Sequence, residues 1–104
     1  MLHQKMIYKI LTLEEFDEFN KNKKFVGNPL DREDGYMHFS TKEQYPKIIQ
    51  KFFPDQKVVV LEIYAAKIAG TLKFESNIPN GEQYPHLYGG YIEAQDVMNI
   101  INID

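Results

Sequence analysis

A chain of 104 residues is about one domain, long enough to bury a real core and too short for two. Hydrophobic residues at 43% and aromatics at 13% select a folded chain over a disordered one. The 12 basic and 15 acidic residues leave a net charge of −3, which argues against broad nucleic-acid binding or an anionic membrane surface, because both want a basic face. Cysteine is absent, which excludes a disulfide framework, a thiolate zinc site and a cysteine nucleophile. No apolar run approaches the roughly 20 residues of a membrane span, and the start Met-Leu-His-Gln-Lys lacks the apolar stretch of a signal peptide. The expectation is a single domain over residues 1–104, located in the cytoplasm.

In chain order, Met6–Leu11 reads as a strand from its β-branched and aromatic content. Thr12-Leu-Glu-Glu15 matches a capping box and opens a helix to about Lys21, with Leu13, Phe16 and Phe19 at helical spacing. The basic run Lys21–Lys24 reads as its solvated end, where cations suit the helix dipole. Phe25–Gly35 is expected as a loop shaped like a lid, closing on the turn signal Asp34-Gly35. Tyr36–Phe39 follows as a strand, so Tyr36, His38 and Ser40 share one face while Met37, Phe39 and Thr41 share the other. Ser40 and Glu43 match a second capping box. A polar strand end running into a helix N-terminus would make an anion site of Ser40 and Thr41.

Tyr45, Ile48, Ile49 and Phe52 then repeat on one apolar helix face, with Pro46 expected to kink or restart that helix. Lys57–Tyr64, nearly continuous and apolar, reads as a central strand. Ala65–Ala69 is expected as a helical turn closed by Gly70, and Thr71–Glu75 alternates like a half-buried strand. Ser76–Gln83 reads as loop. Tyr84–Gly90 reads as an aromatic, glycine-containing loop before a strand-like Tyr91–Glu93, and Val97–Ile103 closes the chain as a strand. Five or six strands with two helices, strands dominating the second half, define an α+β fold, with antiparallel pairing expected among Val58–Ile63, Leu72–Glu75 and Val97–Ile103.

The chemistry-bearing residues fall in the two least ordinary segments. His38 and Ser40 on one strand face suit a ribose or phosphate; the competing reading is a structural histidine beside a cap serine. His86 between Pro85 and Leu87 suits stacking on a planar ring, or is structural. Tyr88 stacks, donates its hydroxyl, or fills core. Glu62, facing opposite to Leu61 and Ile63, is an edge or pocket group. No dinucleotide glycine fingerprint, phosphate-cradling loop or zinc helix is present, and His3, His38 and His86 would meet a metal only by coincidence of folding, so no metal site is expected. A triad of Ser40, His86 and Glu75 lacks the nucleophile-elbow context. His38, Ser40 and His86 are expected on one concave surface bordered by Tyr88 or Glu75. Truncating either histidine should then cost about 1 to 2 kcal/mol, against more for Phe52 or Val59 in the core.

The blocks Asn28-Pro-Leu-Asp-Arg-Glu-Asp-Gly-Tyr-Met-His-Phe-Ser-Thr-Lys-Glu-Gln44, Leu61-Glu-Ile63, Phe74-Glu75 and Tyr84-Pro-His-Leu-Tyr-Gly89 resemble, in order, the signature segments of the domain-of-unknown-function 952 family. The resemblance spans roughly Ile7 to Ile103. Tyr84 stands where phenylalanine is more frequent, Gly90 where proline is usual, and Pro46 is a further departure. The resemblance implies a small split antiparallel sheet with two main helices, similar to the catalytic core of ADP-ribosyltransferases, with a cleft between the halves. The residues themselves carry two hypotheses, the first an enzyme that takes NAD or a related ADP-ribosyl or phosphorylated ribose compound as substrate. His38 and Ser40, with Thr41, would hold the ribose or phosphate, His86 and Tyr88 would bracket the base, and Glu75, ending an alternating strand, would be the catalytic carboxylate that steadies oxocarbenium-like charge alongside His38; the competing reading of Glu75 is an exposed strand-end glutamate. The alternative is a non-catalytic module binding a nucleotide or small anion.

Overall fold

The structure is a computed structural model and describes residues 5–104; His3 and the chain start therefore lie outside the described residues. Among the described residues, seven strands form two antiparallel sheets. β1 (Met6–Thr12), β4 (Val58–Tyr64) and β7 (Val97–Ile103) make the first, in the order β1-β4-β7. In the second, β6 (Tyr84–Glu93) is flanked on one side by β5 (Ala69–Glu75) and on the other by the two-residue strands β2 (Lys24–Phe25) and β3 (Met37–His38). The expected pairing of β4 with β7 forms. The strand at 71–75 pairs with β6 instead of joining them.

β4 is central as its apolar run requires: Val58, Val59, Val60, Leu61 and Ile63 are all buried. The core joins them to Ile7, Leu11, Phe19, Phe25, Met37, Phe39, Leu87 and Ile92, so both sheets and α1 (Leu13–Asn22) feed one apolar interior. The Thr12–Glu15 capping box forms in both directions, at 3.1 and 2.9 Å, and α1 ends on Lys23 in the left-handed region.

Three expectations are corrected. The 25–35 lid is replaced by β2 and a short helix α2 (Pro29–Asp34), started by an Asn28–Asp31 capping box with proline in its first turn and ended by Gly35 at φ 81°. The Ser40–Glu43 box does not form. Ser40 is a bridge residue pairing with Tyr8, and α3 (Tyr45–Phe52) begins five residues later at an uncapped Gln44, so Pro46 falls in the first helical turn, where a missing N–H is harmless. Phe52 is not core: it is 60% exposed, while Tyr45, Ile48 and Ile49 carry the half-buried face of α3.

The 84–90 loop is likewise part of a ten-residue strand, β6. Near its far end the chain passes Gly70 so closely that a Cβ on Gly90 would overlap the Ala69 carbonyl, which accounts for glycine at this position, beside the register shift between Ala69 and Thr71. Among the described residues no helix is long and apolar enough to cross a membrane.

Candidate functional site

β3 and β6 put His38 directly opposite His86. Alternation along the second sheet gives Lys73 and Glu75 of β5, and His86 and Tyr88 of β6, the same outward face as His38, so residues far apart in sequence converge there. The imidazole centroids lie 5.7 Å apart in an edge arrangement. Tyr36 covers them, stacked 4.1 Å above His86 and 4.8 and 5.3 Å from His38 and Tyr88.

Each histidine is anchored on carboxylate. His86 Nδ1 lies 2.8 Å from Glu75 Oε1, and the same oxygen accepts the Tyr88 hydroxyl at 2.6 Å. Those two bonds, the Tyr88 one foremost, hold the Glu75 carboxyl below its usual range, and the bond to Glu75 together with burial pushes the Tyr88 phenol up to about 12. Tyr88 is thus a hydroxyl donor at neutral pH. Glu75 Oε2 has no hydrogen-bond partner among the described residues, and the side chain is 37% exposed.

His38 Nδ1 lies 2.6 Å from Asp31 Oδ1, and Nε2 lies 2.9 Å from Asp34 Oδ2. Only the doubly protonated ring can donate to both at once. Asp31 is buried and collects a further set of donors: Lys9 Nζ at 3.0 and 3.2 Å, the His38 backbone N–H at 3.1 Å and the Asn28 N–H at 2.9 Å. Burial alone would raise the Asp31 carboxyl; the His38 bond, the Lys9 charge and the backbone bond outweigh it and hold it down at about 2. Lys9 also donates to the His38 carbonyl at 2.8 Å, and its own burial pulls its ammonium below the usual lysine range against the pull of Asp31. A cleft of about 170 Å³ opens beside Tyr36, lined among others by Arg32, Met37, Leu87, Gly89 and Gly90. It has room for a small ring and is below the several hundred Å³ of a cavity that encloses a ligand.

The sequence-derived set divides. His38, His86, Glu75 and Tyr88 come together as expected. His86 is 2% exposed beneath Tyr36, on a strand and not a loop, so its ring face is already occupied and cannot bracket a base. Ser40 is buried and its backbone is engaged with Tyr8, while the Thr41 N–H is filled by Gln44 Oε1 at 3.0 Å. With α3 starting at Tyr45, the helix-terminus argument for both lapses, and neither side chain bonds to the cluster among the described residues. Glu62 accepts the Tyr8 hydroxyl at 2.6 Å across β1 and β4, as a structural partner. Asp31, Asp34, Tyr36 and Lys9 were missing from the set. A lysine alone in the apolar Met6–Leu11 strand was the legible signal, since a buried ammonium needs a buried acid.

Fold and site together define a small α+β protein carrying a face of paired histidine–carboxylate couples under a tyrosine. The family model described as "Protein of unknown function (DUF952)" matches residues 10–100, and the chain belongs to that family. A crystal structure of protein CC0527 from Caulobacter crescentus is similar at 32% identity and a TM-score of 0.83, over 95% of this chain and 86% of that one. The solution structure of CC0527 gives 31% identity and 0.81, over 100% and 86%. No curated protein matches the chain.

Proposed function

We propose that the His38–His86 face is a ligand cleft of the ADP-ribosyltransferase type, acting on NAD or a related ADP-ribosyl or phosphoribosyl compound. The observation that carries the reading is the cross-strand histidine pair with Glu75 Oε2 left open beside two tyrosines. In this reading His38 Nε2 meets a ribose hydroxyl once Asp34 gives way. Tyr36 and Tyr88 offer the planar faces and a hydroxyl donor, and the Glu75 carboxylate stabilises positive charge as the bond from ribose to nicotinamide breaks and the oxygen of water or of an acceptor hydroxyl bonds to the anomeric carbon, releasing its proton to solvent. The division of the strands between two sheets supports the comparison with that fold.

Free nicotinamide released from the dinucleotide, followed by chromatography, tests the reading. Release is expected with the parent and lost in Glu75→Gln, with nucleotide binding retained. A second reading, a non-catalytic binding module, is favoured by the saturation of both His38 ring nitrogens by Asp31 and Asp34. It predicts saturable movement of the histidine resonances with no nicotinamide released. Histidine resonances unmoved by millimolar ADP-ribose and by the intact dinucleotide would remove both.

A further inference from the structure

We propose that Asp31, clamped by the buried Lys9 ammonium, is a positioning residue that keeps a proton on His38 Nδ1 and so presents Nε2 as the ligand-facing nitrogen. The two carboxylates on this ring are not equivalent. Asp31 is buried, comes from the first turn of α2 and is fixed by five donor contacts, two of them from Lys9. Asp34 touches Nε2 from a side chain 34% exposed, with no other hydrogen bond among the described residues. An acceptor held by the Lys9 ammonium and two backbone N–H groups besides the ring cannot turn to follow the ring; a half-exposed one on the last residue of a six-residue helix can. Lys9 adds a second constraint by binding the His38 carbonyl, so backbone and ring of one residue are gripped by one ion pair. Asp31 borders the cleft beside Tyr36, but the side chains of the pair are only 4% and 3% exposed, so neither charged group is presented openly and the exposed group they hold is the His38 ring. When Asp34 swings away and the ring loses a proton, the clamp dictates that Nε2 loses it, leaving an acceptor at the surface and a donor toward the core.

This assignment rests on the reading of His38 as a ligand-contacting residue, and the experiment reads the ring itself and not turnover. In ¹⁵N-labelled protein, long-range ¹H–¹⁵N spectra report which imidazole nitrogen carries hydrogen. In Asp34→Ala, at a pH where the ring is neutral, the expected form is Nδ1–H with a bare Nε2; the reverse tautomer overturns the proposal. In the double variant Lys9→Met with Asp31→Leu, an ion pair is exchanged for apolar groups and no buried charge is orphaned. There the ring should move to Nε2–H, the form an unconstrained imidazole prefers, and a ring still in the Nδ1–H form overturns it. Should the double variant fail to fold, the Asp34→Ala spectrum alone decides. Thr12→Ala, which weakens the capping box of α1, should leave the His38 pattern unmoved; a shift there would make the tautomer a reporter of general loosening and overturn the assignment. A tautomer that behaves as expected while no nucleotide perturbs the ring supports the positioning role and removes the proposed function alone.

Discussion

His38 and His86 occupy matched positions on paired strands, yet they answer truncation differently. His86 is nearly sealed under Tyr36 and bonded to Glu75, so His86→Ala should leave a cavity and cost about 3 kcal/mol in chemical denaturation. The side chain of His38 is 26% exposed, and His38→Ala should cost no more than about 1 to 2 kcal/mol. Equal losses for the two would contradict their placement. The sequence marked both histidines through the odd segments that hold them. It could not say that one is floor and the other rim, because that depends on where Tyr36 falls, and Tyr36 is placed by α2, a helix hidden inside an apparent loop.

At the scale of elements, long periodic pieces were legible and short ones were not. The strand at 58–64, the closing strand and the capped helix at 13–22 were each readable from local pattern and form where they were expected. β6 is hard to read from sequence because Pro85, Gly89 and Gly90 are poor strand residues by themselves; Pro85 sits opposite Phe74, and the two glycines fall in the irregularity between the Thr71–Tyr88 and Ala69–Tyr91 pairs, with β5 holding the strand on either side of it. α3 carries its apolar face at Tyr45, Ile48 and Ile49 as the spacing predicts, but it begins five residues after the expected cap at Ser40 and that face stops short of Phe52. Phe52→Ala should therefore change stability by less than about 0.5 kcal/mol, in contrast to Val59→Ala in the core, which loses buried methyl groups. Gly90→Ala should be the costlier change at the β5–β6 crossing. The added methyl must displace the Ala69 carbonyl, and a thermal midpoint within a degree of the parent would refute that close approach.

For the whole molecule, acid is the informative variable. The folded Asp31 carboxyl, at about 2, lies below its ordinary value of 3.8, so its contribution is complete above the ordinary value and is lost as pH falls toward 2. The amount at stake is on the order of 2 kcal/mol. Denaturant titrations from pH 5 to pH 2 should show the parent losing that increment relative to Asp31→Asn, with the two curves converging at the acid end. Curves that stay parallel would mean that Asp31 is not held down in the folded state.

The two sheets are joined by a single backbone pair among the described residues, Tyr8 with Ser40, bonded in both directions at 2.8 Å. Lys9, the neighbour of Tyr8, reaches across to the carbonyl of His38, two residues before Ser40. Apart from the apolar interior that both sheets share, this joint is where they meet by backbone hydrogen bonding, so it can open with the ladder of each sheet intact. The Tyr8 and Ser40 amides, although buried, should exchange hydrogen through an opening of lower free energy than the amides of Val60 and Leu61 in β4, and acid should widen that gap before the global transition begins. The face that carries His38 hangs from the same joint, so the geometry offered to a ligand belongs to the closed seam and to neither sheet alone.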